Sequence, residues 1–324
     1  MEQILPFARR YTNADNFVIF MFANNLFRAS VMKRIRTFQS FDIKHYFVIS
    51  LDAPLHKHLG RRGVPSLLMP LRVPKDDNEA RARLWIFRMR VFVHLLKGGI
   101  SFLHIDADSY WVKNPLPFVQ KQLKEFDVIY AHGSYFPLEV FSKWRFVVCM
   151  GFLAINANPK TVKLYQAILQ RTKEVNDDQR AQNQTLQKMD VQWACEHPYD
   201  IQCRSYSISV CKEVRKGYIP RLDLEVCILP HHLFPRVWTP TLRPSEIIMH
   251  NYLDEANDPE LFNAHHRTRP RRRRVTKHDG GLGAGTFVFS RPRVSFRSLR
   301  SFHSYHGLRL LPRGRLPFIL RLRS

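Results

Sequence analysis

The chain has 324 residues, 45% of them hydrophobic, with 24 Phe and 11 Tyr. That is enough apolar material for one large α/β domain or two small ones. The formal net charge is +24, but residues 265–324 carry 16 Lys and Arg against one acid, so the charge belongs mainly to the tail and says little about the chemistry of the body. No run of about 20 apolar residues occurs, so no transmembrane helix is predicted, and the first apolar run, Phe17–Ala23, also lacks a signal-peptide cleavage site.

In chain order, Phe17–Ala23 ends in Asn24-Asn25 and reads as a buried parallel strand with polar residues at its carboxyl end. Residues 27–41 place Phe27, Val31, Ile35 and Phe38 on one helical face. Strands are predicted at 45–52, closing on Asp52, and at 63–69. A helix over 77–97 is stopped by Gly98-Gly99, and a strand over 100–105 delivers Asp106-Ala107-Asp108. Further strands are predicted at 128–130 and 147–156, then a helix from 159 to about 172 and another starting near 177. Strand and helix alternating at this spacing argue for parallel βαβ units. From about His265 the sequence turns basic and loses period, with Arg271–Arg274 and a Gly-rich stretch. We take 1–264 as the folded domain and 265–324 as a disordered basic tail.

Cys149, Cys195, Cys203, Cys211 and Cys227 fit no paired zinc-ligand spacing. One or two disulfides and buried free thiols both stay open as readings of this set.

The chemistry concentrates at FLHIDADSYWVKNP, residues 102–115. An apolar strand puts its carboxyl end where open α/β sheets bind ligands. Two acids at i and i+2 there can share a hard divalent cation, which also ligates phosphate and makes a nucleoside diphosphate a better leaving group. The bare pattern is common by chance, and solvated turn residues are the plain alternative. Context decides between them.

The stretch WIFRMRVFVHLLKGGISFLHIDADSYWVKNP, residues 85–115, resembles the nucleotide-diphospho-sugar transferase family, which includes retaining galactosyl-, xylosyl- and arabinosyltransferases. Arg88 stands where that family usually has Lys. The resemblance continues upstream to Phe17–Ala23 with Asn24 and Asn25. Downstream it takes in GFLAIN at 151–156, Asp177-Asp178-Gln179 with Asn183, and IIMHNY at 247–252.

It implies an α/β fold of the GT-A type, with a mixed, mostly parallel central sheet flanked by helices. It further implies transfer of a sugar, with retention, from a nucleotide diphosphate donor such as a UDP-sugar to a hydroxyl of a glycan or protein acceptor. Residue by residue, the resemblance makes Asp106, Asp108 and His250 the ligands of Mn²⁺ or Mg²⁺. It puts Asn24 or Asn25 near the uridine, and Arg88, Asp106 and Asn251 on the donor. Gly151 would leave room for the donor's sugar, and Asp178 and Gln179 would contact sugar hydroxyls. Bland alternatives stand beside these, a bulge for Gly151 and a helix-terminal acid pair for Asp177 and Asp178. The Golgi lumen is the compartment such transferases occupy, although no anchor or signal is visible in this sequence.

Three rivals remain. A haloacid dehalogenase-type phosphatase would open on its Asp-x-Asp, whereas here about three strands precede it. A polyanion binder acting non-specifically through the basic tail leaves Asp106 and His250 unexplained. A catalytically degenerate transferase is the third.

Overall fold

The computed structural model describes residues 1–71, 77–203, 206–237, 242–243 and 245–250. The amino-terminal half runs α1 (Ile4–Arg9), β1 (Phe17–Ala23), a 3-10 turn (Asn25–Phe27), α2 (Arg28–Ser40), β2 (Tyr46–Ser50), α3 (Ala53–Gly60), β3 (Ser66–Leu68), α4 (Asp77–Lys97), β4 (Ser101–Ile105) and β5 (Tyr110–Trp111). It continues through α5 (Leu116–Gln122), β6 (Val128–His132), α6 (Leu138–Trp144), β7 (Val148–Ile155), α7 (Pro159–Val175) and α8 (Asp178–Lys188). Short strands follow: β8 (Gln192–Ala194), β9 (Pro198–Gln202), β10 (Ser207–Cys211), β11 (Arg215–Ile219), β12 (Leu224–Ile228) and β13 (Met249–His250).

Nine of these strands form one sheet, ordered β3-β2-β1-β4-β7-β6-β12-β11-β8. The first four are parallel, β7 runs antiparallel between β4 and β6, and β12 is parallel to β6. Only β7 and β11 run against the rest, so the expected mixed, mostly parallel sheet is what forms.

Both faces are covered, which explains the continuous apolar runs. Alternation sends Val18 and Phe20 of β1 toward α1, α4, α7 and α8, and Ile19 and Met21 toward α2, α3 and α5. The helices begin on designed caps. Asp52 accepts from Leu55 N at 2.9 Å to open α3, and Asn158 and Thr161 form a capping box on α7 with Pro159 in its first turn. Gly99, at φ +73°, turns the chain from α4 into β4.

Cys195 and Cys211 form a disulfide that ties the start of the β9–β10 hairpin to its end. Cys149, Cys203 and Cys227 are free thiols. The disulfide reading therefore holds for one pair and the buried-thiol reading for Cys149 and Cys227, while the free thiol of Cys203 is half-buried. The expected tail, 265–324, lies outside the described residues.

Candidate active site

In sheet order β1 lies beside β4, and the connections leave them in opposite directions, β1 to β2 and β4 to β6. Such a switch point opens a crevice at the carboxyl ends of the strands. Asn24 follows β1 there and Asp106 follows β4.

Strand periodicity puts His104 and Asp106 on one face, the face that packs on α4. His104 is fully buried among Phe20, Phe22 and Phe92, whose ring centroids lie 5.1–5.6 Å from its own. Burial pushes its pKa down, so the ring is neutral, and its Nε2 lies 3.4 Å from Asp106 Oδ1. Arg88 of α4, only 4% exposed, reaches the same Oδ1 at 3.1 Å through Nη1 and binds Asp178 through Nε at 2.6 Å and through Nη2. Trp85 stacks on the guanidinium at 4.4 Å. Burial works to raise the pKa of Asp106, but the His104 hydrogen bond and the Arg88 charge prevail and hold it at about 2.

Asp178 is 1% exposed, and burial raises its pKa to about 6 against the pull of Arg88. It is therefore still ionised at neutral pH, and the pair is a true ion pair. Asp108 is exposed at the cleft. Desolvation by its surroundings and then the Asp106 charge push its pKa to about 6.

Four expectations change. Arg88 was expected on the donor, but it is buried and its donors are spent on Asp178 and Asp106. Gly151 was expected to make room for a sugar; instead a Cβ there would stand 2.5 Å from Asp106 Oδ2, so the glycine makes room for the carboxylate, and its carbonyl accepts from Asp106 N at 2.7 Å. Gln179 was expected on sugar hydroxyls, but its amide accepts from Met150 N at 2.8 Å and donates to Val148 O at 2.6 Å and Phe136 O at 3.4 Å. Both of its amide donors are consumed by backbone. Asp178, expected beside it on the sugar, lies behind Arg88 in the α4–α8 contact, and Asp177 is the N-cap of α8, accepting from Arg180 N at 2.6 Å.

Asn24 and Asn25 lie just past the carboxyl end of β1. Asn24 accepts from Leu26 N at 3.1 Å, Asn25 N donates to Asp52 Oδ2 at 2.7 Å, and Asn25 Oδ1 is buried without a hydrogen-bond partner. His250 pairs through its backbone with Tyr110, two residues beyond Asp108, although about 140 residues separate them in sequence. Its side chain, and all of Asn251, lie outside the described residues. Two groups escaped the sequence reading. His104 was legible only as a polar residue inside an apolar strand, spaced two before Asp106. Arg236 shows no signal in its local pattern, yet its charge lowers the pKa of both Asp106 and Asp108.

Two exposed or half-exposed carboxylates, two residues apart just after β4, are hard oxygen donors. Their mutual repulsion is what a divalent cation would relieve, so the residues present fit such an ion. Among the described residues no three His, Cys, Asp or Glu side chains converge as a metal-binding group.

Residues 42–258 match the sequence profile of the nucleotide-diphospho-sugar transferases. The chain belongs to that family. It is a glycosyltransferase, and binding a nucleotide-sugar donor and an acceptor is what such an enzyme does.

No curated protein matches this transferase. Solved structures similar to it include a glycosyltransferase involved in glycosylation of the major capsid of PBCV-1, at 11% identity and TM-score 0.39, covering 72% of this chain and 91% of that one. Apo mouse xyloside xylosyltransferase 1 aligns at 9% identity and TM-score 0.40, covering 75% and 99%. The bifunctional glycosyltransferase WbbM aligns at 11% identity and TM-score 0.46, covering 79% of this chain and 52% of that one.

Proposed function

We propose that this glycosyltransferase takes a UDP-sugar and moves the sugar, with retention, onto a hydroxyl of a glycan or protein, with Mn²⁺ or Mg²⁺ held by Asp106, Asp108 and His250. The observation that carries the reading is the convergence at one sheet edge. Asp106 and Asp108 follow β4 into the switch-point crevice, and the backbone of His250 is in register with Tyr110. When bound, the cation would neutralise diphosphate charge as the leaving group departs. The chain's own groups do the positioning. His104 and Arg88 hold Asp106 ionised and oriented, Asp178 fixes Arg88, and the bare Cα of Gly151 seats the carboxylate. The Asn24–Asn25 turn, with its unpartnered amide oxygen, is the place for the base.

The Cys195–Cys211 bridge supports a lumenal, oxidising compartment, and the Golgi lumen is our proposal. No described helix is long and apolar enough to cross a membrane.

The test is UDP binding by calorimetry with and without Mn²⁺. The wild type is expected to need the ion, and Asp108→Asn to weaken binding by about 100-fold with an unchanged melting temperature, since Asp108 is exposed. UDP binding that is undiminished in EDTA and in Asp108→Asn would refute the metal assignment.

A further inference from the structure

Arg88 is buried between Asp178 and Asp106 on one face of the sheet. A second cation, Arg236, follows Phe234, which belongs to the core on the other face. The segment after β12 is pinned at three points. Leu233 O accepts from Ile248 N at 2.8 Å and from Met249 N at 3.2 Å, joining it to the strand that pairs with β5. Phe234, 1% exposed, packs on Phe118 and Phe152 with ring centroids 5.4 and 6.0 Å away, and Phe152 stands opposite Ile105, the residue before Asp106. Fully buried His231 accepts at Nε2 from Arg236 N at 3.2 Å and Val237 N at 3.4 Å, so its ring caps the turn. Pro235, with its fixed φ, is the sole link between the Phe234 anchor and Arg236.

We propose that half-buried Arg236 is a binding residue for the diphosphate of the nucleotide donor, held at the Asp106/Asp108 crevice by the Phe234 and His231 anchors. The inference rests on the nucleotide-sugar reading above. A guanidinium presents paired donors that match two phosphate oxygens. Its placement agrees with its electrostatic reach, since its charge acts on Asp106, Asp108, Cys149 and Tyr206 together. Its charge is already felt by both carboxylates. A phosphate–cation pair in the crevice would then share Arg236 with them, and charge would balance at the leaving group.

The experiment uses the full chain with Mn²⁺ and measures binding of UDP, GDP, ADP and CDP, and of the four matching nucleosides. For whichever diphosphate the wild type binds, Arg236→Gln is expected to weaken it by about 10- to 100-fold and leave its nucleoside unchanged. Arg236→Lys is expected to recover part of the loss. Equal losses for diphosphate and nucleoside, or no loss, would overturn the inference. A wild type that binds GDP in place of UDP would refute the uridine reading and leave Arg236 to be judged on the same comparison. A wild type that binds none of the four would overturn both.

Discussion

Arg88 and Asp178 show how one pair of residues is worth more to the site as scaffold than as ligand. Both are nearly inaccessible, and removing one partner leaves the other charged in a medium that solvates it poorly. We expect Arg88→Met to cost about 3–5 kcal/mol in unfolding free energy. The double replacement Arg88→Met with Asp178→Asn should cost less than the single, because no orphan charge remains. Denaturant titration checks this, and a double variant no more stable than Arg88→Met would contradict it. The residue types at these positions were legible in the sequence, and so was their place near the chemistry. Their burial was not, because it depends on α4 and α8 packing against each other across 90 residues of chain. Gly151 teaches the same lesson. That a side chain was excluded could be read, but the atom that excludes it, Asp106 Oδ2, is set by the β4–β7 register.

At the scale of elements, β7 depends on α8. The β6–β7 ladder shifts register between Tyr130 and His132, and Asn183 and Gln179 stand in as partners, Asn183 accepting from Val148 N at 2.9 Å and donating to Val148 O at 3.0 Å. Asn183→Ala is expected to cost about 1–3 kcal/mol by leaving the buried Val148 N–H unpaired, again read by denaturant unfolding; a cost near zero would mean water or a shift of the strand replaces the amide. Asn183 is 0% exposed, so the Asn183-Gln184-Thr185 sequon is closed to glycosylation in the folded chain.

The end of β6 and the turn after β12 carry His132 and His231, rings 5.7 Å apart and both buried. Burial, then the charge of His232, lowers His231 to about 3, and burial, then His231 and Arg215, lowers His132 well below its ordinary value. At these two rings the unfolded chain therefore binds more protons than the folded one between about pH 3 and 6.5, whereas Asp108 and Asp178, raised to about 6, bind more in the folded chain and offset them. The rings' contribution to stability is full above the unfolded value and falls as pH drops through this window, by about 1.4 kcal/mol per pH unit for each histidine. NMR titration of the two imidazoles should show both neutral down to pH 5 in the folded chain, and either ring titrating near pH 6.5 would contradict this. The sequence revealed the long apolar strands and helices of the first 190 residues well. It did not reveal β8 to β12, whose short, half-polar strands lack a clean period and are held by sheet pairing and by the Cys195–Cys211 bridge.

Over the whole molecule, a four-strand parallel half built from βαβ units joins a half in which β7 and β11 reverse. The crevice lies where the first half switches direction, and the second half contributes the Gly151 strand, the α8 partners and the Arg236 turn. The DxD-containing strand was readable because buried parallel strands are apolar without interruption until they reach the edge. The contribution of the second half was not, since it depends on contacts 45 residues or more apart in the chain. Both halves are needed for the activity proposed, which makes sugar transfer the central claim. Its most direct measurement is release of UDP from a panel of UDP-sugars by the full chain with Mn²⁺. We predict turnover of at least one donor, lost in EDTA and in Asp108→Asn. A well-folded wild type that binds and hydrolyses no UDP-sugar, with or without the ion and a panel of acceptors, would contradict the account.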